Sequence, residues 1–257
     1  MHTNTIVFIT GAFLSNSIWD EWRIYFEAKG FITIAPSWPH KDATTDELKR
    51  RHPDAAIAVV SLQQLVAHYA GILKKLPEKT ILIGHSAGGL VTQLLLQENL
   101  AMAGIAIHSF APHDVMKHSF FLWKYRYWLW NSFYSDKKSF MMSFPRWQIS
   151  IANNLPIAAQ KSGYDQFLVP ESKRFLRSAL SGAAKVDFQQ THPPLLFIAG
   201  TADHLTPASL NYSNYKKYIQ GNSITDFKEF QGKCHFVLGQ PAWQEVAAFI
   251  EQWIRRL

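Results

Sequence analysis

Four short runs carry almost no polar side chain: Ile6-Val7-Phe8-Ile9, Thr80-Ile81-Leu82-Ile83, Gly104-Ile105-Ala106-Ile107 and residues 194–199. A strand with one wet face alternates apolar and polar residues, whereas a continuous apolar run demands cover on both faces. The cover is present between them. Residues 18–29 place Ile18, Trp22, Tyr25 and Phe26 at helical spacing and stop before Gly30. Residues 57–76 form a second amphipathic stretch ended by Pro77, and residues 90–100 a third. In residues 242–256, Trp243, Val246, Ala247, Ile250 and Ile254 share one face. Residues 31–35, ended by Pro36, and the more polar 224–230 add two further strands. Strands alternating with helices predict βαβ units, hence an α/β fold: a mostly parallel sheet of about six strands flanked by helices.

The rhythm breaks after residue 111 and resumes at residue 192. A chain of 257 residues suits one domain with an insertion. The expected division is a core of 1–111 and 192–257 with a helical cap at 112–191. Residues 120–134 hold nine aromatics in fifteen positions, and Pro145, Pro156 and Pro170 cut the segment into short helical pieces. The segment also holds eleven Lys/Arg against five Asp/Glu, which is most of the chain's net charge of +7. The basic character is therefore local, and no continuous polyanion-binding face is expected. Cys234 is the only cysteine, compatible with a reducing compartment. The N-terminus has no basic, apolar and small-residue signal pattern, and no apolar run is long enough to span a bilayer. A cytoplasmic location is the expectation.

Gly84-His85-Ser86-Ala87-Gly88 fits G-x-S-x-G, between a predicted strand and a predicted helix. Such a turn forces its serine into a strained backbone conformation and lifts the hydroxyl above the carboxyl edge of the sheet. Glycines on either side let the turn close. In motif and context the chain resembles the α/β-hydrolase family, over about 1–111 and 192–257. The insertion resembles a family cap only in its position.

The resemblance implies a Ser-acid-His chain order. Ser86 matches the nucleophile. Asp203, in Gly200-Thr201-Ala202-Asp203-His204-Leu205-Thr206-Pro207, matches the acid loop after a late strand; Asp114, after the strand at 104–107, is its rival. His235 follows the last strand, where the family keeps its base. Among the other ten histidines, His204 adjoins Asp203 and points elsewhere. His85 lies inside the turn as a structural or pocket-lining residue, and His108 and His113 flank the cap as substrate contacts. Cys234, beside His235, reads as a packed thiol. Thr10-Gly11-Ala12 stands where the family has H-G-x, so the oxyanion donors implied are the N–H groups of Ala12, or of neighbouring Phe13, and of Ala87. Thr10 departs from the family's histidine.

A serine at the elbow, where family dehalogenases and epoxide hydrolases have aspartate, implies acyl chemistry. The expected activity is cleavage of a small-molecule carboxylic ester with an apolar acyl or aromatic part. Acyltransfer or perhydrolysis by the same triad, or apolar-ligand binding by a relic triad, are the alternatives. Phe13, His85, His113, Trp123 and Trp128 are the candidate substrate contacts, and weak membrane-surface contact through the aromatic-basic cap is a further reading. No H-E-x-x-H, C-x-x-C or P-loop pattern occurs, so no metal, cofactor or nucleic acid is expected.

Overall fold

A computed structural model describes residues 4–116, 138–218 and 223–257. Six strands form one parallel sheet: β1 (Thr5–Ile9), β2 (Ile32–Ile34), β3 (Thr80–His85), β4 (Ala101–Ile107), β5 (Leu195–Gly200) and β6 (Thr225–Phe230). Their spatial order is β2-β1-β3-β4-β5-β6. The chain runs outward from β1 to β2, then returns past β1 to lay down β3. That reversal opens a crevice at the carboxyl ends of β1 and β3, where open α/β sheets take their ligands.

The apolar runs are explained by burial on two sides. Ile6 and Phe8 of β1, Ile81 and Ile83 of β3 and Leu196 and Ile198 of β5 enter one core. Their neighbours Val7, Ile9, Leu82, Leu195 and Phe197 enter the other. The first core is covered by α1 (Asp20–Glu27), through Trp22 and Phe26, and by the C-terminal helix Gln244–Ile254, through Val246, Ile250 and Trp253. The edge strand β6 alternates in burial, as its polar sequence requires.

Local chemistry divides some predicted elements. The stretch 57–76 is two helices. Asp54 accepts the Ala56 and Ile57 N–H groups to cap α3 (Ala55–Ala58), and Ser61 with Gln64 forms a capping box that starts α4 (Leu62–Leu73). The polar stretch 37–54 contains α2 (Thr45–Arg50), capped by Thr44. The third helix, α5 (Ala87–Gln97), starts directly at the serine turn and packs with α4 on the second face of the sheet.

Beyond the single-turn α6 (His113–Met116), the connection from β4 to β5 contributes α7 (Phe144–Ser150), α8 (Ile157–Phe167) and α9 (Lys173–Ala179). These pieces are packed on the core. Trp147 is fully buried, its ring 5.2 Å from that of Phe236, and Leu168 pairs with Leu14 in an antiparallel bridge. A helix that the periodicity did not indicate, α10 (Ala208–Tyr218), follows β5; the C-terminal helix is α11. Among the described residues no helix is long and apolar enough to cross a membrane.

Candidate active site

The turn after β3 sets the site. Ser86 has φ 55° and ψ −116°, left-handed for a residue with a Cβ, and its N–H donates to Ile107 O at 2.9 Å. Such a conformation costs on the order of 1–3 kcal/mol and persists only where the surroundings impose it. They do so by contact: a Cβ on Gly84 would lie 2.2 Å from Gly88 O, and one on Gly88 would lie 2.0 Å from Ile9 O.

Two later loops bring partners to the Ser86 hydroxyl. The loop after β6 places His235 Nε2 at 2.9 Å from Ser86 Oγ, and His235 Nδ1 lies 2.8 Å from Asp203 Oδ2. All three side chains are buried. A carboxylate accepts only, so the proton sits on Nδ1 and leaves Nε2 to accept the serine proton. The loop after β5 holds Asp203 in turn. Its Oδ1 accepts the Leu205 and Thr206 N–H groups at 2.8 Å each, and its Oδ2 lies 2.9 Å from the Thr206 hydroxyl. Burial alone would raise the Asp203 carboxyl; the charge and hydrogen bonds of His235 and His108 outweigh it and hold the group well below the ordinary carboxylate range. The rival Asp114 lies 3.4 Å from His113, away from this chain of contacts.

His108, read from sequence as a substrate contact, is fully buried behind the acid instead. Its Nδ1 approaches Asp203 Oδ2 to 2.9 Å, and its Nε2 has no partner among the described residues. The latter faces Gly200, where a Cβ would stand 2.9 Å away. His85 also lies outside the cavity: its Nε2 is 2.9 Å from the backbone oxygen of His235. Burial, reinforced by the neighbouring imidazoles, holds His85 well below its usual value, and burial outweighs Asp203 at His108. Burial pushes the Cys234 thiol up to about 11, in keeping with a packed, unreactive sulfur.

The Ser86 hydroxyl opens on an apolar cavity lined by Ala12, Phe13, Ala87, Phe110, Met142, Phe175, Leu176, Leu180 and Leu205. Phe13 therefore lines the cavity, whereas His85 and His113 do not. Trp123 and Trp128 lie outside the described residues. The Phe13 N–H donates to Glu171 Oε2 at 2.9 Å, which commits it elsewhere and leaves Ala12 beside Ala87 at the cavity wall. Among the described residues, the one cluster of His, Cys, Asp and Glu tight enough for a metal ion is His108, Asp203 and His235, with ligand atoms within 4.8 Å. Its donor set is already engaged internally, Asp203 Oδ2 alone meeting both imidazoles and the Thr206 hydroxyl.

The fold recurs among solved structures. A monoacylglycerol lipase from Paleococcus ferrophilus superposes with a TM-score of 0.72 at 19% identity, over 98% of this chain and 95% of that one. For methylesterase MES16 from Arabidopsis the TM-score is 0.69 at 14% identity, over 98% and 99%. A pyrethroid hydrolase from Sphingobium faniae JZ-2 gives 0.67 at 17% identity, over 99% and 98%. No curated protein matches the chain in sequence. Residues 6–248, nearly the whole chain, match the model of the alpha/beta hydrolase family, and the chain belongs to that family.

Proposed function

We propose that the protein is a serine hydrolase that cleaves a carboxylic ester with a substantial apolar part through an acyl-enzyme. One observation carries the reading: an unbroken contact path from Asp203 through His235 to a strained Ser86, opening on an apolar cavity. Ser86 Oγ attacks the acyl carbon while His235 Nε2 takes its proton. Asp203 keeps the imidazole in the required tautomer and stabilises the imidazolium. The N–H groups of Ala12 and Ala87 hold the tetrahedral oxyanion, the latter with the positive end of the α5 dipole behind it. His235 then returns the proton to the leaving alcohol, and water activated by the same imidazole releases the acid.

The apolar lining suits an uncharged acyl or aromatic group, since a charged one would lose its hydration there without a partner. The fold shared with a methylesterase, a monoacylglycerol lipase and a pyrethroid hydrolase supports ester cleavage in general. Ser86→Ala is expected to lose on the order of 10⁴–10⁶ in kcat on p-nitrophenyl esters while keeping the parent's thermal unfolding. A fluorophosphonate should label the parent once, at Ser86. Hydrolysis by the variant at the parent's rate would remove Ser86 from the mechanism.

A further inference from the structure

The loop that carries Ala12 is tied to the insertion by a buried ion pair. Phe13 has φ 66°, a left-handed conformation that costs a side-chain-bearing residue roughly 1–2 kcal/mol. Its N–H donates to Glu171 Oε2 at 2.9 Å and its carbonyl accepts from Val169 N–H at 2.9 Å. Ser15 N–H donates to Phe167 O at 2.8 Å, so residues 13–15 run against 167–169 as a short ladder. Glu171 is itself fixed. Its Oε1 accepts from Ser172 N–H at 2.8 Å, and its backbone exchanges two hydrogen bonds with Phe140.

Lys41 Nζ lies 2.7 Å from the same Glu171 Oε2, with both side chains nearly inaccessible at 5% and 0%. The ammonium also sits 4.6 Å from the Trp38 ring, and Trp38 Nε1 donates to Thr10 O at 3.0 Å. Both ends of the turn from Thr10 to Phe13 are therefore held by one cluster. A buried ion pair is a poor source of stability, because desolvation offsets its attraction and apolar replacements are often neutral. Its position explains it better. A lone carboxylate on Phe13 N–H would oppose a second negative charge forming one residue away.

We propose that Glu171 and Lys41 are positioning residues for the oxyanion site. Glu171 fixes the Phe13 N–H and thereby aims that of Ala12, and Lys41 cancels the carboxylate's charge. The assignment rests on the ester-hydrolase reading and adds the insertion to the turnover machinery.

Two double variants separate positioning from folding. Lys41→Met with Glu171→Leu removes both charges and leaves the Phe13 N–H without an acceptor. Lys41→Met with Glu171→Gln removes both charges and keeps a carbonyl oxygen there. On p-nitrophenyl butyrate the leucine pair is expected to lose about 10–100-fold in kcat with KM within about threefold, and the glutamine pair to stay within about fivefold of the parent. A trifluoromethyl ketone, which forms a tetrahedral oxyanion on the serine, should lose affinity in the leucine pair by a matching factor. Parental kcat in the leucine pair, or equal losses in both, overturns the assignment. Amide exchange reads the tether in the unmutated chain: the Phe13 amide should exchange at least about 100-fold slower than in a free peptide, and rapid exchange overturns it as well. If the parent has no Ser86-dependent turnover, the hydrolase reading fails, and the exchange result alone decides the tether.

Discussion

Acidification should destabilise this protein well above the range in which its carboxylates titrate, and histidines lowered by burial set the slope: His85 and His108 most deeply buried, His52 and His192 partly so. His85 and His108 are 1% and 0% exposed. Each has a ring nitrogen with no partner among the described residues: Nδ1 of His85, and Nε2 of His108 facing Gly200. A second proton on either ring would bury a charge whose new N–H meets no acceptor. Burial accordingly lowers both groups, His85 strongly. The unfolded chain binds these protons near pH 6.5 while the folded chain does not, so stability falls as pH drops below that value. Each excess proton in the unfolded state contributes about 1.4 kcal/mol per pH unit. One such proton, withheld over a single pH unit, amounts to about a tenth to a quarter of a typical 5–15 kcal/mol. Asp203 is shifted the opposite way, below its usual value, so its contribution is intact in this window and is lost only at lower pH. Urea unfolding at pH 7.5, 6.5, 5.5 and 5.0 measures the slope. His108→Gln should make the slope shallower, whatever its stability at pH 7.5. A parent whose stability is flat between pH 6.5 and 5, or a variant with an unchanged slope, would refute the assignment.

Two further changes probe the supports of the Asp203–His235–Ser86 contact path. Thr206→Val keeps the backbone N–H that binds Asp203 Oδ1 and removes the hydroxyl beside Oδ2 and His108 O. A loss of about tenfold in kcat, with about 1–2 kcal/mol of stability in denaturant melts, is expected; unchanged kcat would mean that Asp203 needs no side-chain donor from the loop. Gly88→Ala forces a Cβ to within 2.0 Å of Ile9 O, whereas Gly71→Ala in α4 meets nothing within 4 Å. The first should lower stability by about 3 kcal/mol and the second raise it by about 0.5–1 kcal/mol, read as opposite shifts in thermal midpoint.

The strands and the elbow were legible because their signals are local. Continuous apolar runs can only be doubly covered strands, and G-x-S-x-G between a strand and a helix admits few other geometries. Asp203 and His235 were candidates through the family pattern, and the structure places Asp203, not Asp114, 2.8 Å from His235. What was missed depends on distant partners. The helix α10 has little apolar periodicity because its buried positions include Asn211 and Asn214, which bond to Ser109, Thr206 and Gln93 across the fold. Lys41 lies in a stretch that reads as a solvated linker, and its partner Glu171 is 130 residues away. His108 looks like any polar residue after a strand until β5 brings Asp203 beside it.

These long-range contacts bear on how the insertion should be regarded. Met142, Phe175, Leu176 and Leu180 from this segment line the cavity. Val169 and Glu171, from the same stretch of chain, hold the loop on the opposite side of Ser86. A lid that only gated access could be altered with effects confined to binding. Here a shift of the segment 167–172 would move the proposed Ala12 donor and the cavity wall together, because Phe13 is bonded to both Val169 and Glu171. A displacement of about 1 Å at a catalytic group costs on the order of 10²-fold in rate. Substitutions confined to Phe175 or Leu180 should therefore register in KM, whereas those that loosen residues 168–171 should register in kcat. On that expectation, selectivity and turnover separate by position along the β4–β5 connection, and not by removing it.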